Sequence, residues 1–225
     1  MNPGSGLELY WARGDVVSHG VAYALLLMSL VSWYFILSKG WTAWHGRKSA
    51  AALEHFWNAP TLPDAILLLQ AADNENVYTP LATQAAAAAS QGDETHSLNA
   101  DSERGELITR TLRREINRVS ARIENGLTVL ASVGATAPFV GLLGTVWGIY
   151  HALAAVSTAG TIQIDKVAGP VGEALIMTAL GLTVAIPAVL AYNGFNRINR
   201  LTLAELDAFA HDLHAFLTTG ARVGK

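Results

Sequence analysis

The chain is apolar in long blocks. No formally charged residue occurs between Asp15 and Lys39, none between Glu124 and Asp165, and only Glu173 between Lys166 and Arg197. About 20 apolar residues carry a helix across a bilayer core. Each block therefore holds one predicted span: residues 16–38, 127–156 and 167–192. The second and third exceed the minimum, which predicts tilt or continuation beyond the membrane. The first is expected to stay as an anchor. Arg13 and Asp15 precede it in place of a basic cluster, and its apolar core is too long for a cleaved signal. Trp33, Tyr34, Trp41 and Trp44 lie toward its C-terminal end, where interfacial aromatics collect.

The basic residues set the orientation. Apart from Arg13 and Lys166, every Lys and Arg lies after span one, before span two or after span three. The positive-inside rule then puts the N-terminus outside and the C-terminus in the cytoplasm. Residues 1–15 form a short periplasmic N-terminus and 157–166 a periplasmic loop. Residues 39–126 make a cytoplasmic helical region, and 193–225 a cytoplasmic C-terminal helix.

Within the cytoplasmic region, residues 53–57 and 62–74 read as short amphipathic helices broken by Pro60, Pro63 and Pro80. Residues 84–91 are alanine-rich and 92–100 are polar, which predicts a loop. Asp101 or Ser102 is suited to cap the next helix. From there to Pro138 only Gly105 and Gly126 interrupt the helical pattern, and Leu107, Ile108, Leu112, Ile116, Val119 and Ile123 recur at helical spacing. One long helix is expected to run from the cytoplasm into span two. Ile198, Leu201, Leu203, Leu206, Phe209, Leu213 and Phe216 predict a matching extension after span three. The two extensions are expected to pack on each other. The predicted fold is thus an all-α integral membrane protein with three transmembrane helices, of which helices 2 and 3 extend into a cytoplasmic helical bundle.

Composition narrows the function. Of 225 residues, 51% are hydrophobic and 15% charged, with a net charge of -3. A nucleic-acid binder carries a clustered basic surplus, so no nucleic-acid partner is expected and membrane lipids are. There is no cysteine, which removes disulfides, thiolate metal sites and cysteine nucleophiles. His211 and His214 have a spacing that suits a metal but lack convergent ligands, and His151 reads as interfacial. Neither a metal, a cofactor nor an enzyme activity is expected.

Glu173 is the residue that calls for chemistry. It lies roughly 9 Å into span three at 1.5 Å per residue, where a carboxylate is costly unless it faces a cavity, finds a partner or takes a proton. No Lys or Arg shares the spans. Desolvation raises a carboxyl pKa, so Glu173 reads either as a proton relay or as a permanently protonated structural group. Thr145, Thr178 and, more remotely, Thr183 are candidates to extend a polar path. At about 100° per residue, Thr178 lies some 140° around the helix from Glu173 and Thr183 about 80°. A single narrow stripe cannot hold all three. Gly141, Gly144, Gly148 and Gly181 suit close helix packing, and Pro138 and Pro187 suit kinks.

Two stretches carry a resemblance. GATAPFVGLLGTVWGI (residues 134–149) and GPVGEALIMTALGLTVAIPAVLAYN (residues 169–193) are similar to the second and third membrane segments of the MotA/TolQ/ExbB proton channel family, most of all its ExbB branch. MotA-like members have four spans, against three here. The resemblance implies a homopentamer in the bacterial inner membrane around a dimer of single-span ExbD-type subunits. Proton flow through it would energise a TonB-type protein for import of siderophores and vitamin B12. It implies that Glu173, Thr145 and Thr178 line the pore. A TolQ-type subunit of an envelope-integrity system is the near alternative, and a passive membrane scaffold the alternative of another class. This chain departs in its short N-terminal segment and in Met177, where a smaller residue is common and a local narrowing of the pore is expected.

Overall fold

The computed structural model describes residues 15–46, 49–73, 75–92, 100–159 and 164–220. Among them are seven helices and no strands: α1 (Val16–Gly46), α2 (Ser49–Asn58), α3 (Leu62–Ala72), α4 (Thr79–Gly92), α5 (Ala100–Glu124), α6 (Leu127–Ala159) and α7 (Ile164–Thr219). Three stretches are long and apolar enough to cross a membrane, Val16–Ala43, Ser102–Ala154 and Gly169–Thr219. The chain is an all-α membrane protein. It divides into one compact unit of residues 1–37 and 126–194 and another of residues 38–125 and 195–225, with α1 and α7 supplying residues to both.

The first unit is built from parts of α1, α6 and α7. Its interior mixes small side chains such as Ala137, Ala174, Ala185 and Ala188 with Leu25, Leu130 and Met177, while Leu27, Leu30, Phe139, Leu143, Ile186 and Leu190 face outward. Unlike a water-soluble bundle, it turns many of its large apolar side chains outward. In lipid, burying large apolar groups between helices brings no hydrophobic gain, so close backbone approach takes over. Pro138 lies inside α6, and Pro170 and Pro187 inside α7.

α6 does not continue α5. Asn125 and Gly126 form a turn between them, with Gly126 at φ +83. This corrects the expectation of a single unbroken helix. Gly105 stays helical, whereas Gly126 adopts the left-handed region that side chains disfavour, and a Cβ there would collide with the ring of Phe35. The equivalent extension after span three is unbroken through Thr219.

The second unit has an ordinary packed core. Ile108, Leu112 and Val119 of α5 join Leu206, Phe209 and Leu213 of α7, with Phe56, Leu69, Tyr78 and Leu81 from the short helices. Phe56 and Phe209 meet edge to face with ring centroids 5.2 Å apart. Ile198 and Leu201, expected on this stripe, are exposed. Leu201 lies about 140° around the helix from Leu206. Pro63 and Pro80 start helices rather than break them, because the first turn has no amide bond to lose. α5 is already helical at Ala100, so neither Asp101 nor Ser102 is its cap. Of the predicted 92–100 loop, residues 93–99 fall outside the described residues.

Asp73 explains how the chain turns from α3 into α4. Its carboxylate is buried and accepts the amides of Val77 at 3.0 Å and of Tyr78 and Thr79 at 2.8 Å. These are amides that no helix serves at that point. Lys39 and Asn199 converge on the Ile123 carbonyl at 2.6 and 2.8 Å, where α5 is about to end and its carbonyls lack helical partners.

Candidate functional site

In the first unit α6 and α7 approach closely. A Cβ on Gly141 would stand 2.6 Å from the Met177 carbonyl, and one on Gly181 would stand 2.7 Å from the Ala137 carbonyl. Gly148 faces Ala174, and Gly144 faces both Val21 of α1 and Met177. Gly134, not singled out in the sequence for packing, presses on Val189. At Gly141 and Gly181 only hydrogen fits, so the two backbones run nearly in touch there.

That proximity brings hydroxyls together. Thr145 is buried at 8% exposure and bonds to the hydroxyl of Thr178. Its Oγ1 also lies 3.1 Å from the Gly141 carbonyl and 3.2 Å from the Ala174 carbonyl. A threonine has one proton to donate, so Thr145 chooses among three acceptors. A hydroxyl with alternative acceptors can turn and pass a proton on as well as hold one.

Glu173 precedes Ala174 and is half-buried, and among the described residues nothing bonds to its carboxyl. Thr178 faces α6, and Glu173, about 140° around α7, does not join the hydroxyl pair. Thr183 is exposed and donates to the Ala179 carbonyl of its own helix at 2.8 Å. The structure therefore brings Thr145 and Thr178 together and leaves Thr183 and Glu173 apart from them. Met177, expected to narrow a pore, is 3% exposed and fills the space against Gly144. Its unbranched chain suits an irregular gap between helices.

Two other residues have settled places. His151 is 52% exposed, with Nδ1 3.3 Å from the Trp147 carbonyl. His214 has Nε2 3.4 Å from the Gly105 carbonyl in the second unit. Among the described residues no three His, Asp or Glu side chains converge.

The first unit is thus a membrane bundle with a hydroxyl pair between two spans and, one residue from the Ala174 contact, a carboxyl that bonds to nothing among the described residues. Residues 77–208 match the MotA/TolQ/ExbB proton channel family, and the chain belongs to it. It is 45% identical over 222 residues to the biopolymer transport protein ExbB of Xanthomonas campestris pv. campestris, covering 96% of this chain and 88% of that protein. It is 42% identical over 218 residues to the ExbB of Neisseria meningitidis, covering 94% and 96%. The Tol-Pal system protein TolQ of Haemophilus influenzae is 32% identical over 200 residues, covering 87% and 86%.

Proposed function

We propose that the chain is the proton-conducting motor subunit of an ExbB–ExbD-type complex in the bacterial inner membrane. Five copies surround a dimer of single-span ExbD-type subunits, and proton flow through them energises a TonB-type protein for uptake of siderophores and vitamin B12. The N-terminus lies in the periplasm and the C-terminus in the cytoplasm, a reading supported by the distribution of Lys and Arg. The protein acts as a conductor rather than an enzyme.

The observation that carries this reading is the Thr145–Thr178 hydroxyl pair between α6 and α7, with Glu173 on a different face of α7 and bonded to nothing among the described residues. An intramembrane carboxyl without a partner among the described residues is suited to face a group on another chain and to exchange a proton with it. Thr145 and Thr178 continue the path between the spans. The fuller similarity to ExbB proteins supports that branch over TolQ.

The test is siderophore-dependent growth under iron limitation in cells lacking their own copy. Wild type should restore growth, and Glu173→Gln at equal membrane level should not. Equal growth with both would reduce Glu173 to a structural group and leave a scaffold role. Failure of both, with rescue of envelope integrity by the wild type, would point to the Tol-Pal role.

A further inference from the structure

Asp15 stands immediately before α1 and has two partners in different helices. Its Oδ1 accepts the Ser18 amide at 2.8 Å, and its carbonyl accepts the His19 amide at 3.1 Å, which makes it the N-cap of α1. Its Oδ2 accepts the indole N–H of Trp147 from α6. The same oxygen lies 3.7 Å from Nε2 of His151, one turn further along α6. The His151 ring packs on the indole with centroids 4.8 Å apart. One carboxylate therefore ends one helix and grips another.

Its charge is permanent. Partial burial works to raise the Asp15 pKa, but the bonds from the Ser18 amide, the Trp147 indole and the Ser18 hydroxyl outweigh it and hold the pKa at about 2. Asp15 stays ionised at any pH near neutrality, so it is an anchor and not a carrier of protons.

Trp147 follows Thr145 by two residues, about 200° around α6. As Thr145 points at α7, Trp147 points the other way, toward the start of α1. Between the two, Gly144 rests on Val21 of α1, at 3.0 Å from a Cβ placed there. Gly144 sets how near the helices come, but a glycine contact leaves α6 free to rotate. A directional bond from indole to carboxylate removes that freedom.

We propose that Asp15 is a positioning residue for the proton pathway: by holding the Trp147 indole it sets the rotation of α6 and hence the seating of Thr145 against Thr178. The inference rests on the proposed function, because it gives Thr145 a part in conduction.

Capping and gripping separate experimentally. Asn and Ser are as good as Asp at an N-cap, but neither offers a second anionic oxygen to the indole. Asp15→Asn, Asp15→Ser, Trp147→Phe and the Asp15→Asn/Trp147→Phe pair would be compared in the full chain, assembled with its partner subunits in membranes at equal levels. Growth under iron limitation gives the activity. Resonance Raman of the indole N–H, with Trp147 identified by its loss in Trp147→Phe, gives the bond.

Asp15→Asn and Asp15→Ser should each lower activity about tenfold, since small misplacement of a reacting group costs at least that much. Both should also shift the Trp147 signal toward a weaker bond. The pair should be no worse than either single change. Full activity in Asp15→Asn, an unmoved Trp147 signal, or losses that multiply in the pair would each overturn the inference. Full activity of Glu173→Gln in the same assay would instead overturn the pathway reading, and the Raman shift with the non-additive pair would still decide whether Asp15 grips Trp147.

Discussion

Thr145 and Thr178 are 33 residues apart in sequence and share a hydroxyl–hydroxyl hydrogen bond between α6 and α7. The bond exists because glycines open the interface beside it. Gly141 gives Thr145 a carbonyl 3.1 Å away on its own helix, and a Cβ on Gly141 would stand 3.2 Å from the Thr178 Cα. Packing and polar chemistry are thus one feature here. The small residues bring the hydroxyls together, and the hydroxyls give the helix pair a direction that apolar contact alone would not.

Replacing either threonine by valine removes the proton and keeps the shape. Thr145→Val or Thr178→Val should weaken the α6–α7 pairing by about 1 kcal/mol, the usual range for such bonds between membrane helices. Activity in the growth assay should drop with either change. Thr145→Ser, which keeps the hydroxyl, should retain most of it. Because the two side chains share one bond, the double valine variant should cost little more than a single one. Strictly additive losses in unfolding and growth would show that the hydroxyls act separately.

Gly141→Ala and Gly181→Ala should be more damaging than their size suggests. Each new methyl would meet a backbone carbonyl, at 2.6 Å and 2.7 Å, rather than the movable end of a side chain. Overpacking of this kind costs about 1–3 kcal/mol, and here it also drives Thr145 away from Thr178. Gly194→Ala is the control, since no atom lies within 4 Å of its added carbon. Thermal unfolding in detergent should rank Gly194→Ala near wild type and both interface variants well below it. Equal midpoints for all three would show that α6 and α7 do not pack as described.

Tyr78 makes the second unit sensitive to alkali. It is 2% exposed and donates to Glu205 Oε2 at 3.1 Å. Burial first, and then the Glu205 charge, push its pKa well above the ordinary value of 10.0. The folded state therefore holds the proton longer than the unfolded chain does. Its contribution to stability is complete below about pH 10 and is lost as pH rises beyond that toward the folded pKa. The unfolding midpoint of wild type should fall more steeply above pH 10 than that of Tyr78→Phe. Parallel curves for the two proteins would remove Tyr78 from the account.

The spans are legible in the sequence because lipid imposes a simple condition. Each outward side chain must be apolar and each backbone group must bond within its own helix, so a charge-free block is a span whatever it packs against. The glycines were visible as small residues, and Gly144 with Gly148 as a close-packing step. That Gly141 meets Gly181 was not, because the match depends on how two helices are rotated. The angle of about 140° between Glu173 and Thr178 did show in advance that both could not share one face.

Other features had no local signal. Gly105 and Gly126 look alike in sequence, yet only Gly126 interrupts a helix, beside the ring of Phe35. In sequence Asp15 is only an acid just ahead of the first apolar block, and its bond to Trp147 spans 132 residues. Met177 reads as a bulky residue near the pathway, and its burial against Gly144 follows from the gap that the glycine leaves.

By itself, the sequence determined that this chain is helical, that it crosses a membrane, and that one carboxyl and a few hydroxyls lie within the apolar blocks. These follow from composition along a single helix, where neighbours are fixed at 1.5 Å and 100° per residue. Only the tertiary structure decided that Thr145 reaches Thr178, that Glu173 is left without a partner among the described residues, and that Asp15 holds Trp147. Those relationships depend on rotation and depth between helices, and close contacts of small residues together with directional bonds set them without leaving a mark at any one position.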